Sequence, residues 1–202
     1  MGCDKATLAA GAETFLGRTA SALSTLFTRV HLAVGATPRY ERLELPHKCL
    51  SLPLICDRDS GRGPLEGVRA ALESLGRPAL FVPVDLAHIS AALLRALWRA
   101  ACETGAVGAV SKWAGGVEPA VAVYTPALLP AVGALLEEGK RELMRLAMVP
   151  GVRLLDLSRQ ETLSSVFGNS PPRLDLVFQN LNTPEDFRAA LAAGLAAKDF
   201  LL

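Results

Sequence analysis

Four groups of residues in this chain have types and spacings that could do chemistry. Asp85 closes the apolar run Ala79-Leu80-Phe81-Val82-Pro83-Val84. Lys5 sits in the polar start Met1-Gly2-Cys3-Asp4-Lys5, and Asp57 opens the loop Asp57-Arg58-Asp59-Ser60-Gly61-Arg62-Gly63, which leads into Pro64-Leu65-Glu66-Gly67. Asn180 and Asn182 precede Thr183-Pro184-Glu185-Asp186. A carboxylate at the carboxyl end of a buried strand stands where ligands bind in open α/β sheets. It is equally suited to cap the next helix, so Asp85 is open between cap and ligand. Glycines before a helix turn backbone N–H groups toward an anion, although such a pair is often only a turn. On their own, Lys5 reads as a solvated charge, Asn180 and Asn182 as turn residues, and His88 as a surface or capping residue with no second histidine at metal-ligand spacing.

The elements that must position these groups alternate between the two periodicities. Residues 13–27 place Phe15, Leu16, Leu23, Leu26 and Phe27 on one helical stripe, and residues 29–34 read as a strand. Residues 50–55 read as another strand, with Pro53 pointing to an edge or a bulge. Pro64 fits the first turn of a helix whose apolar face is Leu65, Val68, Ala71, Leu72 and Leu75. The run ending at Asp85 predicts a fully buried strand of a parallel sheet. Ser90 then caps a helix burying Leu93, Leu94, Leu97, Trp98 and Ala101. Strands follow at 107–110, 117–124 and 152–157, helices at 126–136 and 140–148, and the segment 158–172 reads mostly as loop. Thr183 as N-cap with Pro184 at the first helical position starts the last helix. Strands alternating with helical crossovers predict an α/β fold with a mostly parallel sheet and helices on both faces.

The 202 residues fit one large or two small domains, and no linker-like stretch interrupts them, so a single domain is expected. Half of the residues are hydrophobic, enough for a substantial core. The net charge of +1 gives no electrostatic ground for nucleic acid or an acidic membrane surface, and small-molecule work is the better expectation. Cys3, Cys49, Cys56 and Cys102 form no C-x-x-C pair, which argues against a zinc site and fits reduced thiols. No apolar run reaches the roughly 18 to 20 residues of a membrane span, and the start lacks the apolar core of a signal peptide. A cytoplasmic location is the expectation.

Taken in order, Met1-Gly2-x-Asp4-Lys5, Asp57 with Gly63-Pro64-Leu65-x-Gly67, Val82-Pro83-x-Asp85, Glu118-Pro119-x-x-Ala122-x-Tyr124 and Phe178-x-Asn180-x-Asn182-Thr183-Pro184-Glu185-Asp186 resemble the molybdenum cofactor guanylyltransferases. That resemblance runs to about Leu191, and its last element is the most specific. It implies a Rossmann-like nucleotidyltransferase sandwich that moves GMP from GTP to molybdopterin-bound cofactor and releases pyrophosphate. It further implies Mg²⁺ on Asp85, Lys5 against the phosphates, Asp57 and Gly63 at the nucleotide, and Pro64, Leu65, Gly67, Asn180 and Asn182 on the molybdopterin side. GTP and molybdopterin would be its small-molecule partners, with molybdoenzymes or their chaperones as protein partners, and neither nucleic acid nor membrane. In phosphoryl-type transfer the protein mainly positions reactants and neutralises charge, which a carboxylate-held Mg²⁺ and a lysine would do.

Three departures matter. The family's chain carries an apolar strand and a Leu-Ala-Gly-Gly-x-Ser-x-Arg loop upstream of Met-Gly-x-Asp-Lys, so an N-terminally shortened domain is expected here. Asp85 is followed by Leu86-Ala87 where the family has a residue and then proline, and Gly35 stands where the family has an asparagine. Two alternatives keep their place: nucleotidyl transfer of another kind, such as cytidylyl transfer to molybdopterin or transfer to a sugar phosphate, and a non-catalytic nucleotide-binding relative.

Overall fold

The computed structural model describes residues 6, 9–10, 13–38, 43–45, 48–50, 52–86, 88, 90–181 and 185–186. Two short strands, β1 (Ala9–Ala10) and β2 (Glu13–Thr14), pair antiparallel ahead of helix α1 (Phe15–Leu26). Thr14 caps α1, its Oγ1 accepting from the Gly17 N–H at 3.1 Å, and this satisfies one of the orphan donors of the first turn. Strands β3 (Leu32–Val34), β4 (Leu43–Leu45), β5 (Lys48–Leu50) and β6 (Leu54–Cys56) follow; β3 pairs parallel with β6, and β4 antiparallel with β5. Helix α2 (Pro64–Leu75) leads to β7 (Ala79–Phe81), and α3 (Ala91–Ala101) leads to the hairpin β8 (Gly108–Trp113) and β9 (Gly116–Tyr124). A 3₁₀ turn at Pro126–Leu128 enters α4 (Leu129–Glu137), after which come α5 (Met144–Ala147), β10 (Val152–Asp156), α6 (Gln160–Phe167) and α7 (Leu174–Val177).

The largest described sheet has the order β10-β8-β9-β7. β10 runs parallel to β8, while β9 runs antiparallel to both β8 and β7. Three of its four strands therefore point the same way, and β9 is the reversed one. Side chains alternate across this sheet as the two-residue period requires. Ala109, Val121 and Val123 face Leu93, Leu94 and Leu97 of α3, whereas Val110, Ala122 and Tyr124 face Leu65, Leu72, Val132 and Leu146 on the other side. Helices thus cover both faces. Residues 108–111 of β8 and 121–124 of β9 are buried in succession, so both faces of the sheet are covered along this stretch.

Local departures from the sequence reading have physical causes. The run ending at Asp85 yields a strand of only three residues, half-buried rather than fully buried, whose described partner is the antiparallel β9. Strand direction depends on a partner distant in sequence, which an apolar run does not encode. Residues 158–172 contain helix α6, whose Leu163, Val166 and Phe167 pack at i, i+3 and i+4 against the α3 core. The helix expected over 140–148 forms only at Met144–Ala147. Between β8 and β9 the register shifts at Val110/Ser111, opposite Pro119, which has no N–H to give to the ladder.

Candidate functional site

Strands β3, β6 and β7 end at Val34, Cys56 and Phe81 and are followed by Gly35, Asp57 and, after two residues, the turn at residues 84–85. The Asp57 N–H donates to the Val34 carbonyl at 3.1 Å, which fixes Asp57 at the carboxyl end of the β3–β6 pair. Its carboxylate lies against the first turns of α2: a Cβ added at Gly67 would stand 3.6 Å from Asp57 Oδ1. Burial, and then the neighbouring Glu66 carboxylate, push the Asp57 carboxyl above its ordinary range, with the Arg69 guanidinium opposing them. Glu66 is fully buried, and its Oε1 accepts from the Arg58 N–H at 3.2 Å and from Arg69 Nη2 at 2.6 Å. Arg69 also reaches Asp59 at 3.0 Å, and hydrogen bonding to Glu66 raises its already high pKa. The arginine ties Asp59 of the Asp57 loop to Glu66 of α2. Sequence reasoning passed over Glu66 and Arg69; their i, i+3 spacing of opposite charges on one helix was the available signal.

Gly63 caps α2 with φ 74° and ψ −172°, a region essentially reserved for glycine. A Cβ there would come within 3.0 Å of Arg141 Cβ, so the position is closed by packing as well as by backbone conformation. Pro64 takes the first helical position, where its missing N–H removes a donor the helix does not use. Leu65 is completely buried in the core under α2. Its side chain anchors the helix start, and only its backbone can face a ligand.

The Asp85 carbonyl accepts from the Leu181 N–H at 2.8 Å, and Leu86 bridges antiparallel to Asn180. Residues 85–86 and 180–181, far apart in sequence, are thereby laced into one short ladder. Thr19 Oγ1 of α1 donates to the Val84 carbonyl at 3.3 Å and holds the same turn from another side. Helix α3 begins at Ala91 and is capped by Ser90, whose Oγ accepts from the Leu93 N–H. The capping position is filled as predicted, so the cap alternative for Asp85 loses its place. Asp85 is partly exposed and lines a cavity bordered by residues 27–35 and 77–85. Asn180 is exposed beside it, while Lys5 and Asn182 lie outside the described residues, as do Thr183 and Pro184.

A further group gathers where β8 and β10 end. Lys112 pairs with Asp156 at 3.0 Å, and hydrogen bonds from Ser158 and then Lys112 depress the Asp156 carboxyl to about 2. Trp113 stacks on Phe178 with ring centroids 5.4 Å apart and donates from Nε1 to Glu118 at 3.3 Å. The stack joins the hairpin to the segment that carries Asn180. Among the described residues no cluster of three or more histidine, cysteine or acidic side chains could enclose a metal. Asp85 offers a single carboxylate, which is the kind of donor Mg²⁺ would take from a protein, since that ion uses one or two carboxylates and completes its shell with phosphate oxygens and water.

A sheet covered by helices on both faces, with carboxylates at strand ends and a glycine-led helix beside them, defines an α/β fold of the nucleotide-handling kind. The family model described as "MobA-like NTP transferase domain" matches residues 1–155. The chain is 34% identical over 151 residues to the probable molybdenum cofactor guanylyltransferase of Opitutus terrae, covering 72% of this chain and 70% of that one. It is 27% identical over 194 residues to the protein of the same description from Synechococcus elongatus, covering 94% and 90%. In fold it is similar to the crystal structure of molybdopterin-guanine dinucleotide biosynthesis protein A from Archaeoglobus fulgidus, with a TM-score of 0.70 at 17% identity over 96% of this chain and 92% of that one. The chain belongs to the MobA-like NTP transferase family and is a nucleotidyltransferase.

Proposed function

We infer that this protein transfers GMP from GTP to the phosphate of molybdopterin in the molybdenum cofactor, forming the guanine dinucleotide. An oxygen of the pterin phosphate attacks the α-phosphorus, a new P–O bond forms, and the α–β bridge breaks with its electron pair leaving on pyrophosphate. The observation that carries this reading is the juxtaposition of Asp85 with the Asn180 segment, in a chain matched by the MobA-like family over residues 1–155. One carboxylate and one asparagine segment thus stand on adjoining backbone segments. Mg²⁺ on Asp85 would supply charge neutralisation for the triphosphate. Lys5 offsets phosphate charge, Asp57 and the Gly63 turn hold the nucleotide, and Pro64, the Leu65 backbone, Gly67, Asn180 and Asn182 line the pterin side. No helix among the described residues is long and apolar enough to cross a membrane. A cytoplasmic enzyme that passes its product to molybdoenzymes or their chaperones fits this chemistry.

Gly35 keeps the nucleotide choice in play. It sits at the end of β3 with open space where a side chain would project, so the base meets no side chain from this position. Pyrophosphate release measured with molybdopterin and each of GTP and CTP tests the reading. Turnover with GTP that falls by roughly 10²-fold or more in Asp85→Asn is expected, by analogy with the loss of a group that stabilises transition-state charge. Turnover with CTP alone, or undiminished turnover in Asp85→Asn, would overturn it.

A further inference from the structure

The buried side of the Asp57 loop carries charges that stability alone does not explain. Glu66 is fully buried, and its ion partner at 2.6 Å is Arg69, whose side chain is 18% exposed. Glu66 Oε2 and Arg69 Nε are both buried and find no hydrogen-bond partner among the described residues. Taking two such charges out of water is costly, and well-packed apolar side chains in the same space commonly serve stability as well or better. Apolar residues could not supply an acceptor for the Arg58 N–H, which donates to Glu66 Oε1 at 3.2 Å. Nor could they hold Asp59, which Arg69 reaches at 3.0 Å. The other ion pairs of the loop, Arg58–Glu73 at 3.0 Å and Arg62–Asp59 at 3.4 Å, join partly or largely exposed groups and hold it weakly.

Asp57 stands between two anchored peptide planes. Its own N–H is held from the sheet by the Val34 carbonyl at 3.1 Å, and the next N–H, that of Arg58, is held from α2 by Glu66. Each peptide unit is planar, so anchoring the planes before and after a residue restrains both of its backbone dihedrals and hence the direction in which its side chain leaves. The Asp57 carboxylate is thereby kept beside Gly67, where an added Cβ would stand 3.6 Å from Oδ1. We propose that Glu66 is a positioning residue for nucleotide binding: through the Arg58 N–H it aims the Asp57 carboxylate, and with Arg69 it keeps the loop in its bound shape before the nucleotide arrives. This role rests on the guanylyl-transfer reading, in which Asp57 holds the nucleotide and Asp85 serves the phosphates. It acts on affinity, since a loop ordered in advance spares the cost of ordering it at binding. The chemical step is left alone, because Glu66 is fully buried and acts through Asp57.

Equilibrium titration of the full chain with GTP, pyrophosphate-release kinetics with molybdopterin and residue-resolved amide exchange test this together. In Glu66→Met/Arg69→Met both charges leave at once and side chains of similar length fill the space, so the melting temperature stays within about 4 °C of the wild type. The Kd and KM for GTP rise about tenfold, kcat stays within about twofold, and the Arg58 amide exchanges at least about tenfold faster. Glu66→Gln keeps the Oε1 acceptor, and its NH2 takes the place of Oε2, which has no described partner to lose. Its GTP affinity stays within about threefold of the wild type. In the wild type, whatever any variant does to folding, the Arg58 amide is protected without nucleotide, and GTP slows its exchange by less than about threefold. Wild-type affinity in the double variant, a loss confined to kcat, a Glu66→Gln variant as weak as the double variant, or Arg58 protection that arises only with GTP overturns the positioning role alone. Failure of the wild type to bind GTP overturns the transfer reading, and the positioning role with it.

Discussion

Asp57 and Asp85 stand at the ends of neighbouring elements yet differ in their surroundings. Asp57 is packed against α2 beside Glu66, and its carboxyl is held above the ordinary range by burial first and by Glu66 second. The folded state therefore binds this proton more tightly than the unfolded chain does. Stability conferred by the protonated form is complete below the unfolded pKa and is lost as pH rises through the raised folded value. Asp57→Asn removes that slope: thermal melts across pH 4 to 7 show a variant whose stability falls less with rising pH than that of the wild type. Asp156 has the opposite sign. Its carboxyl is depressed to about 2 by Ser158 and Lys112, so its contribution is present above the ordinary aspartate range and disappears as pH falls toward 2. In Asp156→Asn the melting temperature drops slightly at pH 7 and converges on that of the wild type near pH 2. At Gly35 a side chain has room, and Gly35→Asn folds normally. One added hydrogen bond to guanine, worth about 0.5 to 1.5 kcal/mol, raises the ratio of kcat/KM for GTP over CTP about twofold to tenfold.

At the scale of elements, two glycines around α2 show how conformation and packing separate. Gly63 combines φ 74° and ψ −172° with a 3.0 Å approach to Arg141, while Gly76 at the other end has φ 60° and ψ 20° with open space around it. Asparagine tolerates the left-handed region at Gly76 but not the Gly63 geometry. Chemical denaturation therefore gives a loss of about 1 to 3 kcal/mol or more for Gly63→Asn and about 1 kcal/mol or less for Gly76→Asn. The α2 start was legible from sequence because glycine, proline and the Leu65/Val68/Leu72 stripe are local signals, and the Ser90 cap was legible for the same reason. The shortness of β7 was not, since it follows from a pairing partner some forty residues away, and the reversal of β9 comes from the tight turn that pairs Trp113 with Gly116, which an apolar run does not encode. Within the site, the motif residues Asp57, Asp85 and Asn180 were named in advance, but the buried Glu66–Arg69 pair was not. Its role depends on how deeply α2 seats against β6, which spacing along the chain does not report.

For the whole molecule, we propose that the chain is one nucleotidyltransferase-like domain whose sheet holds together unevenly. β8 and β9 lie inside the four-stranded sheet, are paired on both edges, and contribute Val110, Ala122, Val123 and Tyr124, all at most 1% exposed. β3 and β6 form a separate pair, each with one described partner, and are tied to the rest by α2, which packs against β3, β6 and β7. Opening the β3–β6 pair exposes the smaller core around Leu16, Leu32 and Leu52, whereas opening β8–β9 disrupts both large clusters at once. The free energy of local opening tracks the apolar contacts and backbone bonds that must break, so the two regions differ even though α2 couples them. Native-state amide exchange then shows residues of β8 and β9 exchanging only through global unfolding, with Leu32–Val34 and Leu54–Cys56 exchanging at least about tenfold faster, a gap of about 1.4 kcal/mol. Added denaturant narrows that gap, because global unfolding exposes more surface than the partial opening and has the steeper dependence. Equal protection in both regions would mean that α2 and α1 bind the two sheets into one cooperative unit already, and the uneven assembly argued from strand pairing would be wrong.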